Sequence, residues 1–323
     1  MTDDPDRNLA LELARVTESA AIAAARWQGR GDKNNVDQAA VDAMRTMLST
    51  IDMDGVVIIG EGEKDEAPML YNGEVVGNGS GPRVDVAVDP VDGTRLTARG
   101  DAGALAVIAV AEVDTMYRPG SMVYMDKVAV GEEAAGLIDI EASVEHNLQQ
   151  VAKARGKEIA EVTAVILDRP RNEGYIEAVR QAGARIALIT DGDISGAIST
   201  AHAASGIDIL FGIGGSPEAV TAACALAALR GDMQCKLWPR NDADRAYAAD
   251  AGLDLNQVIG LDDLVGTDNT FFSATGVTSG SLLNGVDFRG DSVTTHTVVM
   301  RSRTGTVRFI QGLHRDEWID QIG

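Results

Sequence analysis

Leu9, Leu13, Val16, Ala20, Ala24 and Trp27 recur at the spacing of one helical face, and the Gly-Arg-Gly at 29–31 ends that helix. A second helix is predicted over "NNVDQAAVDAMRTMLSTI", with Ala40, Met44, Met47, Leu48 and Ile51 on one side. Asn34 or Asn35 can cap it, which puts Asp37 in its first turn. The period then changes. "VVIIG" is short and β-branched, as a buried strand requires, and "EGEKDE" follows it at once. "ALAVIAVAEV" (104–113) and "MDKVAVG" predict further strands, so the first half reads as two helices followed by a sheet.

Beyond "NLQQVAKARGKEI" the rhythm is different. "VTAVILDRPR", "ARIALITDGD" and "IDILFGIGGSPE" are apolar strands, each followed by a plausible helix, which implies an α/β layer. The expected division is therefore an α+β domain over 1–155 and an α/β domain over 156–323. "TTHTVVMRSRTGTVRFIQGLH" predicts a hairpin turning at its Thr-Gly pair. The chain has 323 residues, 45% of them hydrophobic, enough for one large core or two packed ones.

Charge and cysteine usage narrow the function classes. The net charge of −21 repels nucleic acid and anionic membranes over most of the surface. It leaves room for a small anionic ligand reached through local arginines and lysines or through bound metal. No run of about 18 apolar residues is present, so no transmembrane helix is expected. "MTDDPDRNLA" lacks the basic and apolar regions of a signal peptide. Cys224 and Cys235 form neither a metal pair nor a disulfide framework, and a reducing cytoplasm is the simplest compartment.

In open α/β sheets, ligands gather beyond the carboxyl ends of strands. Five predicted strands end in polar groups: "VVIIG" in Glu61 and Glu63, "VDVAV" in Asp89 and Asp92, and "VTAVIL" in Asp168, Arg169 and Arg171. "RIALIT" ends in Asp191 and Asp193, and "IDILFGIGG" in Ser216 and Glu218. Carboxylates brought together repel unless they are protonated or hold a cation. All-oxygen ligands favour Mg²⁺ or Mn²⁺ over zinc, and the four histidines show no metal-binding spacing. In "DGTRLT", Gly93 permits a sharp turn. If a helix starts there, its free N–H groups and the Thr94 hydroxyl form an anion cradle. Taken alone, a D-P-x-D-G is as readily an acidic turn.

"DPVDGT" resembles the D-P-[IV]-[DE]-G-T signature of the metal-dependent, lithium-sensitive sugar and inositol phosphatases. "RVTESAAIAAARWQGRGDKNNVDQAAVDAMR", "VVIIGEGEKDEAPMLYNGEVVG", "YMDKVAVG", "ILDRPR", "ITDGD", "GIGGSPE" and "FFSATGVTSGSLLNGV" are similar to the class II fructose-1,6-bisphosphatases of bacteria, from about residue 7 to about 315. The resemblance implies a sugar-phosphatase fold, an α-β-α-β-α layered sandwich of two closely packed domains. It implies Mn²⁺- or Mg²⁺-dependent removal of the 1-phosphate of fructose 1,6-bisphosphate, in a homodimer or homotetramer. Carried over by position, Asp37 and Glu61 hold one metal, and Asp89, Asp92 and Glu218 the other. Asp92, Gly93 and Thr94 touch the leaving phosphate. Tyr124, Arg169, Pro170, Arg171, Asp191, Gly192, Asp193 and Gly215 line the sugar and its far phosphate.

The chemistry so implied is in-line attack by a metal-activated water that Thr94 orients or deprotonates. A bare threonine hydroxyl is a poor base, so Glu61 or Glu63 is the expected proton acceptor. Gly103, where several members are expected to carry asparagine, leaves a seven-carbon substrate such as sedoheptulose 1,7-bisphosphate open. An inositol-monophosphatase-like enzyme and a non-catalytic sugar-phosphate sensor compete with this function.

Overall fold

Alanine and leucine at helical spacing build α1 (Leu9–Ala25), and valine and methionine build α2 (Lys33–Leu48), in the computed structural model, which describes residues 9–60 and 70–315. Asp32 caps α2, accepting from the backbone N–H of Asn35 at 3.1 Å and from its side-chain amide at 2.6 Å. Asn35 is thus the donor to the cap rather than the cap. Because helical residues begin at Lys33, Asp37 lies just beyond the first turn.

The chain continues through β1 (Asp54–Ile59), β2 (Val75–Val76), β3 (Arg83–Asp92), α3 (Thr94–Arg99) and β4 (Leu105–Glu112). β5 (Tyr124–Val130), α4 (Val144–Arg155), β6 (Thr163–Leu167), α5 (Glu173–Gln181), β7 (Arg185–Ile189) and α6 (Asp193–Thr200) follow. Then come β8 (Ile209–Gly215), α7 (Ser216–Ala228), β9 (Asp232–Leu237), α8 (Asp242–Asp250), β10 (Ile259–Gly260) and α9 (Leu261–Leu264). The described chain closes with β11 (Phe271–Gly276), β12 (Asp287–Arg289), β13 (Ser292–Arg301) and β14 (Thr306–Arg315). The described residues form a mixed α/β protein with two sheets.

Two compact units emerge, and their boundaries differ from the expected division at 155. One unit holds the chain up to Met116 and again from Thr267; the other is Tyr117–Gly266. The cause is long-range strand pairing. "FFSATG" pairs as β11 with both β4 and β13, and β14 pairs with β13, so the C-terminal hairpin returns to the first sheet.

In the first unit the sheet runs β12-β13-β11-β4-β3-β1-β2, with β14 on β13. Leu13, Val16, Ala20 and Ala24 of α1 are fully buried in a core shared with Val36, Ala40 and Met44 of α2 and Val86, Ile108 and Phe271 of the sheet. Removing a side chain such as Leu13 from such a core costs about 2–5 kcal/mol. A polar seam crosses this interface. Thr17 lies 3.0 Å from the Ser273 hydroxyl and accepts from Thr275 at 2.8 Å. The Thr295 hydroxyl donates to Glu18 Oε1 at 3.0 Å.

In the second unit the order is β10-β9-β5-β8-β6-β7. β6 is parallel to β7 and β8, whereas β5 is antiparallel to β8. The carboxyl ends of three parallel strands and the start of β5 therefore fall on one edge of that sheet. Val128, Leu148, Ile166, Val179 and Phe211 fill the core beneath. No helix among the described residues is long and apolar enough to cross a membrane. Cys224 and Cys235 are buried free thiols, each pushed up to about 12 chiefly by burial.

Burial raises the Glu18 carboxyl pKa, against the pull of His314, Thr295 and Thr297. A raised folded value means the native state holds the proton more tightly, so this group's stabilisation is complete below the unfolded value of about 4.3 and is lost as pH rises through the folded value. Glu18→Gln keeps an acceptor for Thr295 without the charge. It is expected to raise the melting temperature by about 2–4 °C at pH 8 and by little near pH 4, which calorimetry at the two pH values measures.

Candidate active site

β3 supplies two of the predicted ligands by an irregularity. In an unbroken strand, residues three apart face opposite sides. Asp89 pairs with Val107 and Asp92 with Leu105, so two residues of β3, Pro90 and Val91, oppose one of β4, Ala106, in a bulge. The extra residue returns Asp89 and Asp92 to one face. Proline suits the position because it has no ladder N–H to lose, and the Val91 N–H donates to Asp89 Oδ1 at 3.1 Å. The strand therefore continues to Asp92 instead of stopping at Val88.

Gly93, at φ 99°, turns β3 directly into α3, whose first residue is Thr94. The expected helix start is present, in a helix of six residues. The Gly-Arg-Gly after α1 docks on the other end of α3: Gly29 and Gly31 donate to the carbonyls of Thr97 and Ala98 at 2.9 and 2.8 Å. The chain then enters Asp32 and α2. The two helix starts are fixed so that the Thr94 hydroxyl donates to Asp37 Oδ1 at 2.6 Å. Burial pushes the Asp37 carboxyl above its ordinary range, opposed by the Thr94 hydrogen bond and by Lys33. The two residues stand 57 positions apart in the chain, and no local pattern connects them.

The second unit presents the residues that the resemblance assigns to the sugar and its far phosphate at one sheet edge. Asn172, fully buried, donates to Leu167 O at 3.0 Å and accepts from the Ile213 N–H at 2.7 Å, tying the loop after β6 to β8. This leads Pro170 and Arg171 across the end of β8. Arg171 Nε donates to Ile213 O at 2.9 Å, and its guanidinium lies 4.4 Å from the Tyr124 ring centre. Tyr124 itself pairs with Gly215 at the start of β5. Arg169 reaches Asp191 at 3.7 Å, and Gly192 turns the chain into α6 in a left-handed conformation.

The glycines of "GIGG" are explained by what lies over them. A methyl at Gly214 would sit 2.0 Å from Asp193 Oδ2, and one at Gly215 would sit 1.6 Å from Glu218 Oε2. Glu218, third residue of α7, folds back over its own N-cap, where the helix dipole favours a carboxylate. Between these acids is Lys127, which sequence reasoning passed over. It is 2% exposed and its Nζ donates to Asp193 Oδ2 at 2.7 Å. Burial pulls its pKa down, but Asp193 and Glu218 outweigh burial and leave it above the ordinary lysine value. The available signal was a lone lysine among the apolar residues of "YMDKVAVG".

Asp37, Asp89, Asp92, Gly93 and Thr94 thus belong to the first unit, and Tyr124, Arg169, Pro170, Arg171, Asp191, Gly192, Asp193, Gly215 and Glu218 to the second. Glu61 and Glu63 lie outside the described residues. Among the described residues no three carboxylate, histidine or cysteine side chains are already gathered as a metal cluster.

Carboxylates on a bulged strand beside a hydroxyl at a helix start suit a phosphoric monoester hydrolase. The family model for bacterial fructose-1,6-bisphosphatase, glpX-encoded, matches residues 7–314. A class 2 fructose-1,6-bisphosphatase of Haemophilus influenzae is 44% identical over 322 residues, 96% of each chain. The fructose-1,6-bisphosphatase 1 class 2 of Escherichia coli K12 is 46% identical over 321 residues, 95% of each chain. The chain belongs to the bacterial class 2 fructose-1,6-bisphosphatase family.

Gly215→Ala tests the strand-end geometry. The clash is with a mobile carboxylate rather than backbone, so the variant is expected to fold, melting within about 5 °C of the parent. Displacing Glu218 is expected to lower phosphatase turnover by roughly tenfold or more, read by phosphate release. Unchanged turnover would remove Glu218 from the site.

Proposed function

We propose that this chain hydrolyses the 1-phosphate of fructose 1,6-bisphosphate to fructose 6-phosphate and inorganic phosphate. The family supports the substrate, and the observation that carries the mechanism is the 2.6 Å hydrogen bond from Thr94 to Asp37. That bond directs the hydroxyl proton towards Asp37 and leaves Thr94 Oγ1 as an acceptor for a water. As the water oxygen bonds to phosphorus, a water proton passes to Oγ1 while the Thr94 proton passes to Asp37. The P–O1 bond breaks, O1 takes up a proton from solvent, and Asp37 releases its own to solvent, so that Thr94 keeps the proton it took from the water. Thr94 thereby has the partner its weak basicity demands.

The candidate ligands, Asp37, Glu61, Asp89, Asp92 and Glu218, are all carboxylates, which suits Mn²⁺ or Mg²⁺. A cation held there would neutralise charge on the phosphoryl oxygens and make a water more acidic. Arg171, over the Tyr124 ring, and Arg169 offer the fork geometry that phosphate oxygens take. Gly103 has a backbone reason to be glycine, at φ 101°, so it lends no weight to a wider substrate range. Two buried free thiols suit a cytoplasmic enzyme. A homodimer or homotetramer belongs to the same reading, and light scattering measures it.

Phosphate release from fructose 1,6-bisphosphate, sedoheptulose 1,7-bisphosphate, inositol monophosphate and hexose monophosphates, with Mn²⁺, Mg²⁺ or EDTA, tests the proposal. Fructose 1,6-bisphosphate is expected to be hydrolysed fastest, and only with a divalent ion. Binding without hydrolysis would point to a sensor, and faster inositol phosphate hydrolysis to a different enzyme of this class. Thr94→Ala is expected to lower kcat by about 10²–10⁴ while Mn²⁺ binding, read by calorimetry, is retained. Thr94→Ser is expected to keep most of the rate.

A further inference from the structure

Lys127 joins two segments that the sequence keeps far apart. It stands on β5 opposite Gly212 of β8. Its Nζ holds Asp193, the first residue of α6, and feels the charge of Glu218 in the first turn of α7. Asp193 is itself only 8% exposed. Each acid lies over one of two adjacent glycines, so neither carboxylate could take this place if β8 carried side chains there. The turn that Asp193 closes carries Asp191 and Gly192, and Asp191 in turn faces Arg169. A buried pair of this kind costs desolvation and is weak evidence for stability alone.

Resting on the proposed function, we infer that Lys127 is a positioning residue for the sugar phosphate: it fixes Asp193, and through it the 191–193 turn, before substrate arrives. Lys127 touches neither the phosphorus nor the attacking water in this scheme. Its loss is felt in substrate affinity more than in the chemical step. A buried ion pair that merely fastens α6 to the sheet would alter stability and leave affinity in step with it.

Four proteins separate these roles: the parent, Lys127→Met, Gly214→Ala and the double variant Lys127→Met/Asp193→Asn. Gly214→Ala retains both charges but places a methyl 2.0 Å from Asp193 Oδ2, so it drives the carboxylate from Lys127. The double variant removes both charges, leaves no unpaired buried ion, and is expected to regain the melting temperature that Lys127→Met loses. KM for fructose 1,6-bisphosphate and the calorimetric Kd for fructose 6-phosphate are expected to rise roughly tenfold or more in all three variants, with kcat within about threefold. Because Asp193→Asn also alters a residue that lines the sugar, the signature of positioning is weakened affinity in Gly214→Ala, which keeps both charged residues. Parental KM and Kd in Gly214→Ala, or their return in the double variant, would make the pair structural only. If Lys127→Met does not fold, the other two variants still decide. A parent that neither binds fructose 6-phosphate nor hydrolyses the bisphosphate would overturn the proposed function itself, and this inference with it.

Discussion

One hydroxyl proton, held between Thr94 and Asp37, sets the requirements that the first unit meets. α2 and α3 have to arrive with a fixed offset, because a hydrogen bond weakens steeply when its geometry is lost. The packed alanine face of α1 sets α2, and the Gly-Arg-Gly that follows α1 pins the far end of α3. β3 carries Asp89 and Asp92, and its bulge turns an odd spacing into a shared face. Helix packing, a glycine loop and a proline bulge thus serve a single juxtaposition.

The second unit meets a different constraint, the cost of placing charges on a strand end. β8 carries no side chains at 214 and 215, which leaves room for two carboxylates directly above its backbone. Such carboxylates need a counter-charge, and a lysine on the neighbouring strand supplies it from within the core. Arg171 is organised by neutral groups instead, the Ile213 carbonyl and the Tyr124 ring, whereas Arg169 faces Asp191 at 3.7 Å.

Local features of this fold were legible because they repeat within a few residues. The β-branched run before Glu61, the apolar strands before Asp168, Asp191 and Ser216, and the Thr-Gly hairpin all announced themselves through period and turn chemistry. What escaped was non-local. Nothing in "FFSATG" says that it pairs with β4 some 160 residues earlier, so the division at 155 misplaced the C-terminal strands. The cap of α2 went to Asp32 because its side chain reached Asn35 first, a choice between adjacent polar residues that propensity does not resolve. The carboxylates at strand ends were visible as residue types, whereas the bond between Asp37 and Thr94 spans 57 positions and Lys127 to Asp193 spans 66. Sequence carried the parts of the site; pairing carried their connections.

The central claim is that Thr94, held by Asp37, delivers a water to phosphorus and does not itself take the phosphoryl group. The stereochemical course at phosphorus tests this most directly, using a substrate made chiral at the 1-phosphate with oxygen isotopes. A single in-line displacement by water gives inversion, and inversion is the expected result. Net retention would mean two displacements through a covalent phosphothreonine and would contradict the account.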